Sequence, residues 1–190
     1  MSMEQMSDEQ LAGAYARGDA DAFDALYARY RQPLFGWLKR SSGRSQEEVE
    51  EVFQDTWLKV IRGMERFDAS QRFAPWLFRI ARNCMIDRWR HLAAVNELQI
   101  ADQDAVMNAA DGDGNRPEAR LHGEELAARW EAALAALPAL QREALLLKLE
   151  TDFDLDTLAA TLGAPRETVK SRLRYAMQRL RARFEEIFNE

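Results

Sequence analysis

Arg79, Arg82, Asn83 and Arg90 recur at helical spacing in the stretch FAPWLFRIARNCMIDRWRHL, residues 73–92, with Trp76 and Trp89 beside them. At about 100° per residue these side chains and Ile86 share one face, while Leu77, Ile80, Ala81 and Cys84 share the other and can pack inward. Pro75 suits the first turn of such a helix, where its missing N–H costs nothing. Guanidinium groups neutralise phosphates and release counterions, flat rings stack on unpaired bases, and an amide hydrogen-bonds a base edge. The face suits a charged polymer that carries flat rings. The competing reading is a solvated basic face with the tryptophans in a core.

A second constellation lies in LAATLGAPRETVKSRL, residues 158–173. Small Ala159, Gly163 at a turn and Val169 in the following helix form the steric pattern of a helix-turn-helix, in which Ala159 permits close crossing and Gly163 allows positive φ. On the last helix Val169, Leu173, Met177, Leu180 and Phe184 are expected inward. Glu167, Ser171, Arg174, Tyr175 and Gln178 point away, flanked by Thr168, Lys170 and Arg181. Across residues 166–183 seven basic residues oppose only Glu167. A chain with net charge −6 has thus concentrated basic charge on the element able to enter a major groove.

A third set has the opposite sign. Ser45 with Glu48 makes a capping box, and the helix it opens carries Val49, Val52, Phe53, Trp57, Val60, Ile61 and Met64 as an apolar stripe. Its outer face holds Glu47, Glu48, Glu50, Glu51 and Asp55, with Gln54 beside them. Acids in a first turn suit the helix dipole; Asp55 lies too far along for that, so a partner surface competes as the explanation.

The remaining segments position these sets. Ser7 with Gln10 caps a short helix, and Asp19 or Asp21 caps a second bearing Phe23, Leu26, Tyr27, Tyr30, Leu34 and Trp37, with a kink expected at Pro33 and an end at Ser41–Ser42–Gly43. Residues 66–72 connect the acidic helix to the basic aromatic one. Residues 97–125 hold eight acids against Arg116 and Arg120, with the Gly, Asn and Pro of a flexible loop at DGDGNRP. Helical period resumes at Leu126, Trp130, Leu134 and Leu137; Pro138 starts another helix, and Asp154 or Asp156 caps the first helix of the helix-turn-helix. No convincing strand alternation is found. The expected fold is all-α: two small helical domains, 1–95 and 125–190, joined by a flexible acidic linker, 96–124, with the C-terminal domain a helix-turn-helix.

Bulk properties narrow the class. A chain of 190 residues with Lys+Arg 26 and Asp+Glu 32 is not globally basic, so nucleic-acid contact must come from local patches. The single cysteine, Cys84, excludes an intrachain disulfide, which fits a reducing cytoplasm. His91 and His122 are far apart with no second cysteine, so neither a metal nor a cofactor is expected. No apolar run approaches membrane-spanning length, and an acidic polar N-terminus argues against a secretory signal. Nothing cradles a phosphate or pairs a nucleophile with a base, which argues against an enzyme.

Taken in order and spacing, EVFQDTW (51–57), FAPWLFRIARN (73–83) followed by Asp87 and Arg90, the acidic linker and LAATLGAPRETVKSRL resemble the sigma-70 family, and within it the small two-domain ECF (extracytoplasmic function, group 4) sigma factors. The resemblance spans both modules. It implies a bacterial initiation factor that binds core RNA polymerase and directs it to chosen promoters. In such proteins the helix matching 49–64 docks on the clamp helices of the largest polymerase subunit; Glu51, Gln54, Asp55 and Lys59 fall on that surface. The part matching 67–90 reads the −10 element as it melts, with Asn83 and the connector residues Phe67, Arg72 and Phe73 as the base pocket, Arg79, Arg82 and Arg90 on the backbone, and Ile86 on the same face. Extruding a base costs a few kcal/mol and stacking returns roughly 1–3 kcal/mol. Trp76 stands as either core or wedge.

By the same resemblance the C-terminal module reads the −35 duplex. Arg166, Glu167, Thr168, Lys170, Ser171 and Arg174 are expected at base edges, Tyr175 and Gln178 on the same face, and Arg172 and Arg179 on phosphates or in packing. Thr157 stands where the family often has Glu, and Glu167 where it often has Gly. The linker would thread toward the polymerase active-site and RNA-exit channels. The expected partners are core RNA polymerase, promoter DNA and an anti-sigma factor covering both modules, with no membrane insertion and a monomer when free. Two alternatives compete: an ordinary helix-turn-helix transcriptional regulator, and a sigma-like mimic that binds an anti-sigma factor without supporting initiation.

Overall fold

The computed structural model describes residues 3–100 and 121–188, and among these every regular element is a helix. After a short 3-10 turn at Met3–Gln5 come α1 (Asp8–Ala16), α2 (Ala20–Ser42), α3 (Gln46–Met64) and α4 (Phe73–Ile100), then α5 (Leu121–Ala135), α6 (Ala139–Glu150), α7 (Leu155–Leu162) and α8 (Arg166–Phe188). The helices thus extend into both ends of the expected linker, and its middle, residues 101–120, lies outside the described residues.

Local chemistry sets the helix ends. Ser7 with Gln10 and Ser45 with Glu48 each form the reciprocal capping box. Asp154, rather than Asp156, caps α7 by accepting from the Thr157 N–H at 2.7 Å. Gly43 ends α2 at φ 63 and Gly163 ends α7 at φ 59, left-handed conformations that glycine adopts without a Cβ penalty. α2 runs through Pro33 without interruption.

Leu11, Leu26, Leu34, Trp37, Val49, Val60, Met64, Leu77 and Phe78 fill the core of the α1–α4 bundle, and Leu134, Leu146, Phe153, Leu158, Val169 and Ala176 that of the α5–α8 bundle. Three apolar residues expected inward are not: Ile61 is 36% exposed, Met177 43% and Leu126 53%. On α8 the inward place passes to Ala176, which is fully buried, while Met177 one position on is turned outward. The two bundles meet along α2 with α6 and α4 with α7.

Candidate nucleic-acid and polymerase interfaces

On α4, Arg79, Asn83 and Arg90 are exposed and Ile86 is half-buried, so the polar face inferred from spacing is largely accessible. The connector places Phe67 against Trp76 and Phe73, with ring centroids 4.9 and 5.8 Å apart. Phe73 corrects the expectation of a base-contacting residue. It has no exposed surface, packs on Tyr30 at 5.6 Å, and its backbone N–H donates to the Glu9 carboxylate at 3.1 Å. Phe73 is therefore the floor of an aromatic cluster, and half-buried Phe67 and Trp76 are its accessible rim. Gly63 makes this possible: a Cβ there would lie 2.9 Å from Cζ2 of Trp76.

Two cations of the same set are engaged by the other bundle. Arg82 Nε donates to Glu143 Oε1 at 2.9 Å, and the side chains are only 18% and 6% exposed. Burial pushes the Glu143 carboxyl above its ordinary value, against the pull of the Arg82 guanidinium and, more weakly, of Arg172. The Arg72 guanidinium lies over the Phe153 ring, 5.7 Å from its centroid, and Phe153 also meets Phe78 edge-on at 6.0 Å.

The outer face of α3 exposes Glu51, Gln54, Asp55 and Lys59. Glu51 pairs with Arg88 of α4, and Lys59 approaches Asp87 at 4.0 Å. Gln54 and Asp55 have no such partner among the described residues. Between them on the helical face sits Leu58, 49% exposed, with Ile61 at its edge. An apolar centre with a polar and charged rim is the anatomy of a protein-docking surface.

On α8, Arg166, Glu167, Thr168, Lys170, Arg174, Tyr175 and Gln178 are exposed and Ser171 is half-buried. Glu167 is bracketed by cations, 3.2 Å from Arg166 and 3.7 Å from Lys170, so its charge does not face a groove alone. Arg166 also reaches Asp156 at 2.9 Å. Arg172 stands apart from this set. It is half-buried, its Nη1 is buried without a hydrogen-bond partner, and its charge acts on Glu143.

Residues 26–94 match the Sigma-70 region 2 family and residues 133–182 match Sigma-70, region 4. The chain is 32% identical over 176 residues to the ECF RNA polymerase sigma factor SigM of Mycobacterium tuberculosis, covering 93% of this chain and 84% of that protein. The chain belongs to the ECF sigma factors of the sigma-70 family. Solved structures agree with this sigma factor across both bundles. CnrH, an RNA polymerase sigma factor of Cupriavidus metallidurans solved in complex with the cytosolic domain of CnrY, superimposes with TM-score 0.67 at 26% identity, over 95% of this chain and 99% of that one. The sigma factor RpoE of Bartonella quintana, solved in complex with the anti-sigma factor NepR, gives TM-score 0.66 at 25% identity, over 86% and 96%.

Several residues of this sigma factor that shape its surfaces were not legible as such in the sequence. Leu58 could have been found, as a leucine lying off the apolar stripe among acids. Glu9, Glu143 and Phe153 carry no local signal, since each acts on a residue more than sixty positions away.

Proposed function

We propose that this sigma factor divides its work between two modules, residues 1–95 for core RNA polymerase and the −10 element and residues 125–190 for the −35 element. α3 docks on the polymerase through Gln54, Asp55 and Leu58, with Glu51 and Lys59 at the rim. α4 then holds the melted −10 strand. Asn83 reads an extruded base that stacks against the Phe67–Trp76 rim, while Arg79, Arg82 and Arg90 neutralise the backbone. Burial of the Phe73 floor supports the stacking site by fixing the rim before DNA arrives. α8 enters the −35 major groove with Arg166, Thr168, Lys170, Ser171 and Arg174, Tyr175 and Gln178 lying along the same face.

The observation that carries this reading is the adjacency of two opposite surfaces on neighbouring helices: an acidic, apolar-centred face on α3 and a basic, amide-bearing face on α4. An isolated helix-turn-helix regulator has no use for either. No described helix is long and apolar enough to cross a membrane, and we place the protein in the cytoplasm, as a monomer when free, acting as an initiation factor rather than an enzyme. RpoE is solved with the anti-sigma factor NepR, and for this chain an anti-sigma factor that covers both modules is the expected inhibitor.

Run-off transcription with core polymerase and genomic fragments tests the reading. Asp55→Arg is expected to weaken core binding tenfold or more, since about 1.4 kcal/mol suffices for that factor. Asn83→Ala is expected to leave core binding unchanged and to abolish permanganate reactivity of the melted −10 thymines. Specific duplex binding without core, and no transcript from any fragment, would instead indicate a helix-turn-helix regulator.

A further inference from the structure

The connector between α3 and α4 borders a cleft on the side of α1. Met6, Glu9, Gln10, Gly13 and Arg17 line it from α1 and the turn before it, and Ala69 lines it from the connector. Its volume is about 420 Å³, in the range of about 300–1,000 Å³ usual for small-ligand clefts. The walls are held in place. Arg29 donates to the Met3 and Glu4 carbonyls at 3.0 and 3.1 Å, which fixes the turn leading to Met6. Glu9 accepts from the Phe73 N–H at 3.1 Å and so ties α1 to the end of the connector. The Ser70 N–H donates to the Asp68 carboxylate and the Gln71 N–H to the Asp68 carbonyl, both at 2.9 Å, so Ala69 sits in a hydrogen-bonded turn. Packing does not explain Gly13. Glycine inside a helix is less favourable than alanine, yet Gly13 lies within α1 without a positive φ. A Cβ there would meet Arg17 Nη1, the end of a flexible side chain, at 3.4 Å. What the glycine provides is an open floor for the cleft. Arg17 lies over that floor, exposed, with no ion-pair partner among the described residues. The Gln10 amide oxygen is taken by the Ser7 N–H at 2.9 Å, which leaves its NH2 group to donate.

We propose that this cleft takes one unpaired nucleobase of the promoter strand, neighbouring the base read at Asn83 and the Phe67–Trp76 rim. The base lies on the Gly13 floor against the Met6 thioether and Ala69. Gln10 donates to its edge, Glu9 accepts from it, and Arg17 meets the adjoining phosphate. The proposal rests on the reading of α4 as the −10 face. A base still stacked in duplex cannot enter such a cleft, so the site rewards melting by one nucleotide beyond the first extruded base and adds preference at one more promoter position. That preference belongs to α1, which precedes the residues 26–94 that match region 2.

Holoenzyme built from the full chain and core polymerase tests this, on a promoter fragment recovered by run-off transcription and pre-melted across the −10 region by mismatches. The non-template strand is scanned with single abasic nucleotides. With wild type, two neighbouring abasic positions are each expected to lower affinity about fivefold or more, the lower end of what a held base returns. Asn83→Ala is expected to silence one of these positions, and Gly13→Leu, which fills the cleft, to silence the other. Arg17→Glu changes an exposed residue at the end of α1 and guards against misfolding of Gly13→Leu. It is expected to lower affinity about tenfold, and the difference from wild type is expected to vanish on a strand whose phosphate beside the second position is a neutral methylphosphonate. The proposal is overturned if Asn83→Ala silences a position while Gly13→Leu, at an unchanged melting temperature, silences none. It is equally overturned if the Arg17→Glu difference survives every single methylphosphonate, and that arm decides alone should Gly13→Leu lower the melting temperature. In both cases the sigma function and the α4 base site stand. If neither Asn83→Ala nor Gly13→Leu silences any position although the holoenzyme transcribes, the assignment of the −10 face to α4 fails as well.

Discussion

Arg82 of α4 and Arg166 of α8 belong to helices with the same kind of basic face, yet their settings are opposite. Arg82 is 18% exposed and its acidic partner 6%, whereas Arg166 is 52% exposed and its partners 76% and 73%. The contrast extends along both helices. α4 is gripped at its first turn by Glu9, at Trp76 by the approach to Gly63, at Phe78 by Phe153 and at Arg82 by Glu143. Among the described residues, the outer face of α8 carries ion pairs with acids at or before its own start and the stacking of Arg174 on Tyr175. The proposed −10 role accounts for the bracing of α4, because a pocket for an extruded base has to exist before the base leaves its stack. A helix that enters an intact major groove needs only its exposed face and a firm seat.

The comparison is broken hardest at Arg82. Arg82→Ala leaves Glu143 buried without its cation, and removing one partner of a buried pair costs up to about 3–5 kcal/mol. Parting of the bundles relieves part of that, so the loss should show as a lowered melting temperature, an enlarged radius of gyration in solution scattering, or both. Adding Glu143→Gln removes the stranded charge and is expected to recover most of the stability, giving a strongly non-additive double-mutant cycle. Additive losses would mean that the pair is not coupled and that α4 is no more gripped than α8.

Glu9 is the next grip. Burial alone raises its carboxyl, but hydrogen bonds from its own backbone N–H and from the Phe73 N–H, the Ser7 hydroxyl and the Arg72 charge together hold it below its ordinary value of 4.5. Glu9→Ala strands the Phe73 N–H at a fully buried residue, an unsatisfied donor that costs about 1–3 kcal/mol. Because the folded carboxyl is depressed, its contribution is present above pH 4.5 and is lost as pH falls through the lower folded value. Chemical denaturation at a series of pH values checks both points. Glu9→Gln keeps an acceptor for Phe73 and is expected to lose the pH dependence while keeping most of the stability. An unchanged pH profile in that variant would place the titration elsewhere.

The legible and illegible parts of the fold divide along the same line. Both capping boxes, the glycine stops at Gly43 and Gly163, and the alternation of inner and outer faces on α3, α4 and α8 follow from interactions within about four residues, which a sequence displays directly. The exposed set on α8 was legible for that reason, Arg172 and Met177 excepted. What surrounds α4 was not. Whether Phe73 is a reader or a floor depends on Glu9 and Tyr30, and whether Arg82 faces DNA or a carboxylate depends on Glu143. Each of those partners comes from a different helix, brought near by packing. Acidic Glu143 on α6 even reads as an ordinary surface residue until the bundles meet.

The smallest stability effect should come from the bare helix, and it sharpens the contrast most. Arg174 is exposed, and its guanidinium stacks on neighbouring Tyr175, 4.9 Å from the ring centroid. Arg174→Ala in a solvated helix interior trades a good helix former for a better one, so stability should stay within about 0.5 kcal/mol. Binding to duplex should fall all the same, and the manner of the fall assigns the contact. A phosphate contact lowers affinity evenly across sequences and reduces the salt slope by about 1, whereas a base-edge contact costs about 1–3 kcal/mol and relaxes preference at one −35 position. Titration of holoenzyme against −35 variants at several salt concentrations distinguishes these. Arg174→Ala that destabilises the chain as Arg82→Ala does would show that α8 is braced through its outer face too, and the division between a braced reader of melted DNA and a free-standing reader of duplex would fail.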